Sequence, residues 1–594
     1  MRLKRAAEFR RRAVEWARRA LRHDRTVMWG LAVVIGAAAG YGSLAFRETI
    51  YLVQGLAYGL YGEPLFARVA SLPAWQVVGV PALGGLVIGL FIRFALPDRR
   101  PHGVADVIEA AALRSGRMSG RAGVTAAIAS AVSLGVGASA GREGPVVHLG
   151  AAVGSWVARR IGLGRSLTVN LLGCGVAAAI AASFNAPIAG VFFALEVVVG
   201  HYALSAFAPV VLASVIGTVV ARGHYGDFPA FVAPGQSIVS LWEFPAFALL
   251  GVVAAVQAIV LLRSIGWVQQ AVERSKVPAW LAPAAGGVAI GLIALALPQV
   301  LGVGYAPTDA ALKGEIGLAL LIALAVAKTA ATAITLGSGF AGGIFSPSLF
   351  LGAMVGGAFG VVATEALPAL SSGPQAYTLV GMGAVAGPVL GAPISTVLIM
   401  FELTQDYALT IAVMVAVVIA TAITRRLDGP SFFARQLARR GLNLSGGREV
   451  GLLAALRVAD VMRREYDSVP PSCPLSEVRE HLTRAPYGEI FVVDADGRLV
   501  GTITLADLSE AAFDTSMDGL LNADDVARRT PAMLAAGDGL DRALSEMNRT
   551  GEEHFAVVAD REGRRVVGFV HQVDVMAAYN RALIAARAEE RGEA

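Results

Sequence analysis

Gly141-Arg-Glu-Gly-Pro145-Val-Val-His-Leu149-Gly150-Ala151-Ala-Val153-Gly154 aligns without a gap on Gly343-Ile-Phe-Ser-Pro347-Ser-Leu-Phe-Leu351-Gly352-Ala353-Met-Val355-Gly356. Both stretches read G-x-x-x-P and continue with the same Leu, Gly, Ala, Val and Gly positions. A second pair follows in the same order: Ala186-Pro187-Ile188 with Glu196, and Ala392-Pro393-Ile394 with Glu402, the glutamate nine residues after the proline each time. Two ordered coincidences of this kind imply a duplicated unit spanning about 30–225 and 240–425. The alignment leaves open whether the halves run parallel or inverted.

Glycine frees the backbone for a tight turn and proline suits the first helical turn, where its missing amide is not needed. Each G-x-x-x-P therefore opens a helix. First-turn amides have no partner within the helix and carry the positive end of its dipole, so they hold an anion without a fixed cation. Two such openings meeting near a bilayer midplane would cradle a small dehydrated anion, and partial charges would still let it leave.

The surrounding composition supplies the bilayer. The 594 residues are 55% hydrophobic and only 16% charged, with mean hydropathy +0.61, which excludes an ordinary soluble enzyme. Apolar stretches of the length needed to cross a hydrocarbon core, about 20 residues each, recur from Val27 to about Ile423. After Arg425 the sequence turns mixed and charged. The 68 glycines fit close-packed, broken membrane helices, and Cys174 and Cys473 alone make no disulfide framework. The net charge of +5 is concentrated in residues 1–26. There Phe9, Ala13, Trp16 and Ala20 recur at helical spacing among arginines, which reads as an amphipathic helix on an anionic leaflet or as a solvated basic helix that sets topology. No signal-peptide pattern is present, and the positive-inside rule places the N-terminus in the cytoplasm.

With these motifs in hand, the membrane part resembles the CLC chloride channel and transporter family. GREGP stands intact at Gly141–Pro145, and GxFxP stands as Gly343-Ile344-Phe345-Ser346-Pro347. The first family signature, GSGIP, is altered to Pro101-His102-Gly103-Val104-Ala105. The resemblance implies that Glu143 is the gating glutamate, whose carboxylate competes with the anion; a lone carboxylate between apolar segments is costly and by default functional. The plainer reading has Glu143 paired with Arg142 or capping its own helix. The implied anion-binding set is His102, Gly103, Arg142, Gly144, Ile344, Phe345, Ser346 and Phe433, with the amides of Ile344 and Phe345 at a central site and those of Gly144 and Ser346 at an outer one.

Departures from the family are as informative. His102 replaces its serine and Phe433 its tyrosine, so both usual hydroxyl donors are missing. The internal proton-handling glutamate of coupled antiporters falls at Val197, which favours passive or weakly proton-coupled conduction, unless protons take another route through water or His102. Glu196 and its repeat partner Glu402 read as structural helix residues. Lys328 reads as a structural ion pair or a vestibule charge.

The tail, residues 456–580, contains one pattern twice, over 456–515 and 522–580. Strands Ile490–Val493 and Leu499–Thr504 flank Asp496-Gly497, and strands Phe555–Val558 and Val566–Val570 flank Glu562-Gly563, a hairpin signal. This resembles a tandem CBS pair. The resemblance makes Asp507 and Asp574 candidate ribose contacts for an adenine nucleotide, or else N-caps of the closing helices.

The expected architecture is an all-α polytopic membrane domain over 27–440, with two repeated halves of broken helices, then a linker at 441–455, an α/β CBS pair and a charged tail at 581–594. Expected partners are chloride or a similar anion, membrane lipid and a second copy of the chain as a homodimer, with no nucleic acid, no metal and no required cofactor. The expected place is the cytoplasmic membrane if the source is bacterial, with both termini inside. Rival readings are a CBS-regulated divalent cation transporter, which should line its path with acidic groups, and a non-transporting receptor. Fluoride is disfavoured because Pro145 is kept.

Overall fold

The computed structural model describes residues 25–62, 64–202, 204–227, 231, 238–442, 456–485, 488–508 and 520–591. The expected N-terminal amphipathic helix, apart from residues 25 and 26, and the linker from 443 onward lie outside the described residues. The chain divides into two units, Met1–Asn443 and Leu444–Ala594.

In the first half of the first unit the helices are α1 (Arg25–Tyr58), α2 (Leu65–Val69), α3 (Ala74–Ala95), α4 (Val104–Leu113), α5 (Gly120–Gly135), α6 (Glu143–Ile161), α7 (Arg165–Phe184), α8 (Pro187–Phe193, continued by a π-turn to Val199) and α9 (Leu204–Tyr225). The second half carries α10 (Phe244–Arg274), α11 (Ala282–Ala296), α12 (Tyr305–Leu312), α13 (Leu318–Ser338), α14 (Phe345–Ala366), α15 (Pro374–Leu390), α16 (Pro393–Thr404), α17 (Tyr407–Asp428) and α18 (Phe432–Arg439). Among the described residues, eight helices are long and apolar enough to cross a membrane. Both G-x-x-x-P stretches do open helices: α6 starts at Glu143 and α14 at Phe345.

Glycine sets the helix crossings. A Cβ on Gly150 would overlap the carbonyl of Gly175 and one on Gly175 that of Gly150, so α6 and α7 touch backbone to backbone; Gly352 and Gly381 repeat the contact between α14 and α15. A third repeat relates α3 to α11: Pro81-Ala-Leu-Gly-Gly85 matches Pro283-Ala-Ala-Gly-Gly287 at the same separation as Gly141 from Gly343. These equivalent helices pack on each other reciprocally. Gly85 abuts the Pro283 carbonyl, Gly287 the Pro81 carbonyl, Gly89 meets Trp280 and Gly291 meets Val78. Numbers rise along one helix as they fall along the other, so equivalent segments run in opposite directions. The halves are inverted, which the alignment had left open. One core runs through both halves, with Phe184, Phe193, Phe345, Phe350 and Tyr377 among its large buried side chains.

Among the described residues the second unit holds two three-stranded sheets. Strands β1 (Ser468–Val469), β2 (Glu489–Val493) and β3 (Leu499–Thr504) lie in that order, as do β4 (Met533–Ala535), β5 (His554–Val558) and β6 (Val566–His571). In each, the short first strand runs parallel to the second and the hairpin is antiparallel. The hairpins stand where the Asp-Gly and Glu-Gly turns place them, whereas the short parallel strands had no signal in the sequence. Among the described residues the unit also carries helices α19 (Leu475–Arg484), α20 (Ala523–Val526), α21 (Leu540–Thr550) and α22 (Gln572–Arg591). Since α22 continues to Arg591, residues 581–591 belong to the closing helix and are not a separate tail.

Candidate anion pathway

The two helix openings meet. Gly141 N donates to Gly343 O at 2.6 Å and Gly343 N donates to Gly141 O at 2.8 Å, an antiparallel bridge between equivalent residues of the two halves. There is little room for a side chain at either glycine: a Cβ on Gly343 would stand 3.0 Å from the Gly144 amide nitrogen, and one on Gly141 would stand 3.0 Å from the Ser346 amide nitrogen and 2.6 Å from Glu143 Oε2.

Glu143 is fully buried. It does not cap α6, of which it is the first residue. Its carboxylate instead reaches the opening of the other half: Oε2 accepts from Ser346 N at 3.3 Å, and Oε1 accepts from Ser346 Oγ at 2.5 Å and Tyr305 Oη at 2.8 Å. An acidic oxygen thus occupies a helix N-terminus from outside the helix, in the place an anion would take.

A cavity of about 780 Å³ runs to this point, lined by His102, Gly103, Glu143, Gly144, Ile344, Phe345 and Phe433. Seven of the residues singled out in the sequence therefore face one space. Phe345 is held there by Phe184 and Phe193, with ring centroids 5.0 and 5.8 Å away. His102 Nε2 is 3.4 Å from Asp98 Oδ2, and its ring centroid is 5.5 Å from that of His148, a buried histidine on α6.

Three expectations need correction. The amide of Gly103 donates to Asp106 Oδ2 at 2.9 Å, so that carboxylate already satisfies the start of α4. Arg142 does not line the main cavity; its guanidinium lies over the Tyr305 ring, 4.3 Å from the centroid, and borders two smaller cavities. Lys328 is neither an ion pair nor a vestibule charge: it is fully buried, donates to the carbonyls of Val300 and Gly302 at 2.9 Å each, and lies 5.0 Å from the Phe350 centroid. Ser346 reaches the site through Glu143, and Val197 sits in the π-turn after α8. Tyr305 was missed, because nothing in its local sequence ties α12 to a glutamate so far away in the chain.

The cavity wall is strongly charged away from the helix openings. Arg93, Arg99, Arg100, Arg439 and Arg440 outnumber Asp106 and Glu273 there. Asp106 is bound by Arg100 at 2.7 Å and Arg440 at 3.1 Å. The surplus of arginine favours accumulation of anions at this mouth.

In the second unit the two candidate aspartates are each engaged by an arginine. Asp507 Oδ1 accepts from Arg528 at 3.0 Å while Oδ2 accepts from Thr504, and Asp574 takes Arg463 through both oxygens at 2.9 Å. Asp507 thus bonds backward to Thr504. A separate cleft of about 880 Å³ is lined by Arg463, Arg464, Tyr466, Glu489, Phe491, His554 and Phe569, among others, and by neither aspartate.

Comparison with known proteins agrees with this geometry. Residues 84–425 match the family described as voltage gated chloride channel, and residues 458–514 and 523–581 each match the CBS domain. A ClcB-like chloride channel protein of Ralstonia nicotianae is 33% identical over 69% of this chain and 97% of its own. Chloride channel protein CLC-f of Arabidopsis thaliana is 30% identical over 81% of this chain and 69% of its own. The crystal structure of a slow cyanobacterial Cl-/H+ antiporter shares the fold with a TM-score of 0.63 at 21% identity, over 70% of this chain and 97% of that one. The inverted halves, the paired helix openings and these matches together make the chain an integral membrane member of the CLC family, carrying two CBS domains.

Proposed function

We propose that the protein conducts chloride, or a similar small anion, along the cavity to the paired openings of α6 and α14, with Glu143 as the gate. The supporting observation is the Glu143 carboxylate seated on the Ser346 amide: a carboxylate that fills a helix-start anion site must leave before an anion can enter. His102, Gly144, Ile344, Phe345 and Phe433 line the path inward of the gate. Val197 offers no carboxylate to relay protons, so conduction is passive or weakly coupled. Chloride flux from proteoliposomes with an internal pH probe tests this, and Glu143→Gln is expected to open the gate and remove its dependence on pH. Uphill proton pumping by a chloride gradient in the wild type would overturn the passive reading, and unaltered pH dependence in the variant would overturn the gate.

A second reading, proton-coupled exchange, draws on the His102–His148 pair, which joins the cavity wall to the helix that begins with Glu143. In that case His102→Ser should abolish proton movement and spare chloride flux. The CBS pair is proposed to modulate transport. An adenine nucleotide on Asp507 or Asp574 would first have to displace Arg528 or Arg463, and titration of ATP and AMP into the full-length protein tests it. A homodimer with both termini cytoplasmic completes the proposal, tested by light scattering in detergent and by protease accessibility in oriented vesicles.

A further inference from the structure

His102 and Phe433 remove the two hydroxyls that a member of this family would be expected to offer the anion, yet the gate in this structure is surrounded by hydroxyls from elsewhere. Tyr305 opens α12 and is 7% exposed. Its Oη donates to Glu143 Oε1 at 2.8 Å, beside the Ser346 hydroxyl on the same oxygen. The preceding Gly304 has φ of 91°, and a Cβ there would stand 2.7 Å from the Phe350 ring, so the turn that delivers Tyr305 needs glycine. The phenol ring is held on one side by the Arg142 guanidinium, 4.3 Å from its centroid, and by Phe231 with a centroid separation of 4.8 Å.

A hydroxyl aimed at a carboxylate oxygen is a donor aimed at negative charge, and charge-assisted bonds of this kind are the strong ones. When the carboxylate leaves, the donor stays, because Arg142 and Phe231 both pack against the ring. The guanidinium over the ring draws on its electrons, which makes the O–H a better donor without placing a full cation in the path. We infer that Tyr305 is a ligand of the permeating anion: its hydroxyl holds the Glu143 carboxylate while the gate is shut and donates to chloride when the gate is open. This rests on the reading of Glu143 as the anion's competitor. It also predicts a preference, since a localised donor favours a small, charge-dense anion over a large, diffuse one.

The test uses full-length protein in detergent, titrated calorimetrically with chloride and with thiocyanate. In a Glu143→Ala background the competitor is gone. Adding Tyr305→Phe, which deletes one oxygen, is expected to weaken chloride binding about 5- to 10-fold, the scale of one lost hydrogen bond, and to leave thiocyanate within twofold. Incorporating 3-fluorotyrosine at 305 keeps the shape, sharpens the donor, and is expected to tighten chloride; this second variant decides the matter should the phenylalanine protein not fold. Unchanged chloride affinity, or equal loss for both anions, overturns the assignment of Tyr305 and makes the residue a packing element. If Glu143→Ala alone fails to raise chloride binding or flux above wild type, it is the competitor reading that falls.

Discussion

Glu196 and Glu402 cap each other's halves of the molecule. The Glu402 carboxylate accepts from Ile188 N at 2.8 Å and Ala189 N at 2.7 Å, closing the start of α8. Glu196 accepts from Ile394 N at 3.1 Å, Ser395 N at 2.8 Å and Ser395 Oγ at 2.5 Å, closing the start of α16. Each short helix begins Ala-Pro and has no N-cap side chain of its own, so the cap is imported from the other copy. Replacing either glutamate by alanine is expected to cost about 1–3 kcal/mol through the orphaned amides. Glu196→Ala should cost more than Glu402→Ala, because it also strands the Ser395 hydroxyl. Thermal unfolding in detergent reads both, and equal or negligible losses would contradict the cross-capping account.

Backbone contact at Gly150 and Gly175 leaves no room for a methyl group. Gly175→Ala is expected to push α6 from α7, with overpacking of this kind costing about 1–3 kcal/mol or more, and to cut the yield of monodisperse protein sharply. Gly164, which has nothing within 4 Å of an added Cβ, serves as the tolerated comparison. Size-exclusion profiles of the two alanine variants check the contrast.

Lys328→Met keeps the volume but withdraws the donor from the Val300 and Gly302 carbonyls. The expected loss is about 2 kcal/mol or more, since each stranded buried acceptor costs about 1–3 kcal/mol. The segment it steadies leads directly to Gly304 and Tyr305. Hydrogen exchange around Gly302–Ala306 should therefore quicken in the variant well before global unfolding, and an unchanged rate there would argue against this role.

In the CBS unit, burial pushes the Glu489 carboxyl up to about 8, helped by Glu552 and Asp507 and opposed by Arg528. Burial pushes His554 down to about 4, with the neighbouring His571 adding to the effect and Glu553 and Asp574 opposing it. The two side chains face each other at 3.7 Å from equivalent strand positions. A carboxyl raised in the folded state stabilises it fully below the unfolded value and loses that contribution as pH rises through about 8. The lowered imidazole works the other way: its contribution is present above the unfolded value of about 6.5 and lost as pH falls through about 4. Glu489→Gln is thus expected to gain on wild type as pH rises from about 5 to 8. Limited proteolysis of the CBS unit across that range measures it, and a constant difference between the two proteins would refute the linkage.

The repeat, the helix openings and the hairpins were legible because each rests on local chemistry: glycine for a turn, proline for a first helical turn, Asp-Gly for a hairpin. Glu143 stood out because a carboxylate in an apolar setting demands a reason. What stayed hidden is long-range. Tyr305 lies among ordinary helix-start residues, Lys328 read equally as an ion pair or a vestibule charge, and Gly103 read as an anion contact although Asp106, three residues on, takes its amide. The third repeat at Pro81 and Pro283 was visible in the letters but lacked a charged residue to draw attention to it.

The bridge between Gly141 and Gly343 joins a residue to its own counterpart, so each copy of the ancestral unit supplies one wall of the passage and neither supplies both. With the acid on one side and its resting place on the other, neither half can stand in for its counterpart. Glu143 on one side, with Ile344, Phe345 and Ser346 opposite, marks how far the two walls differ.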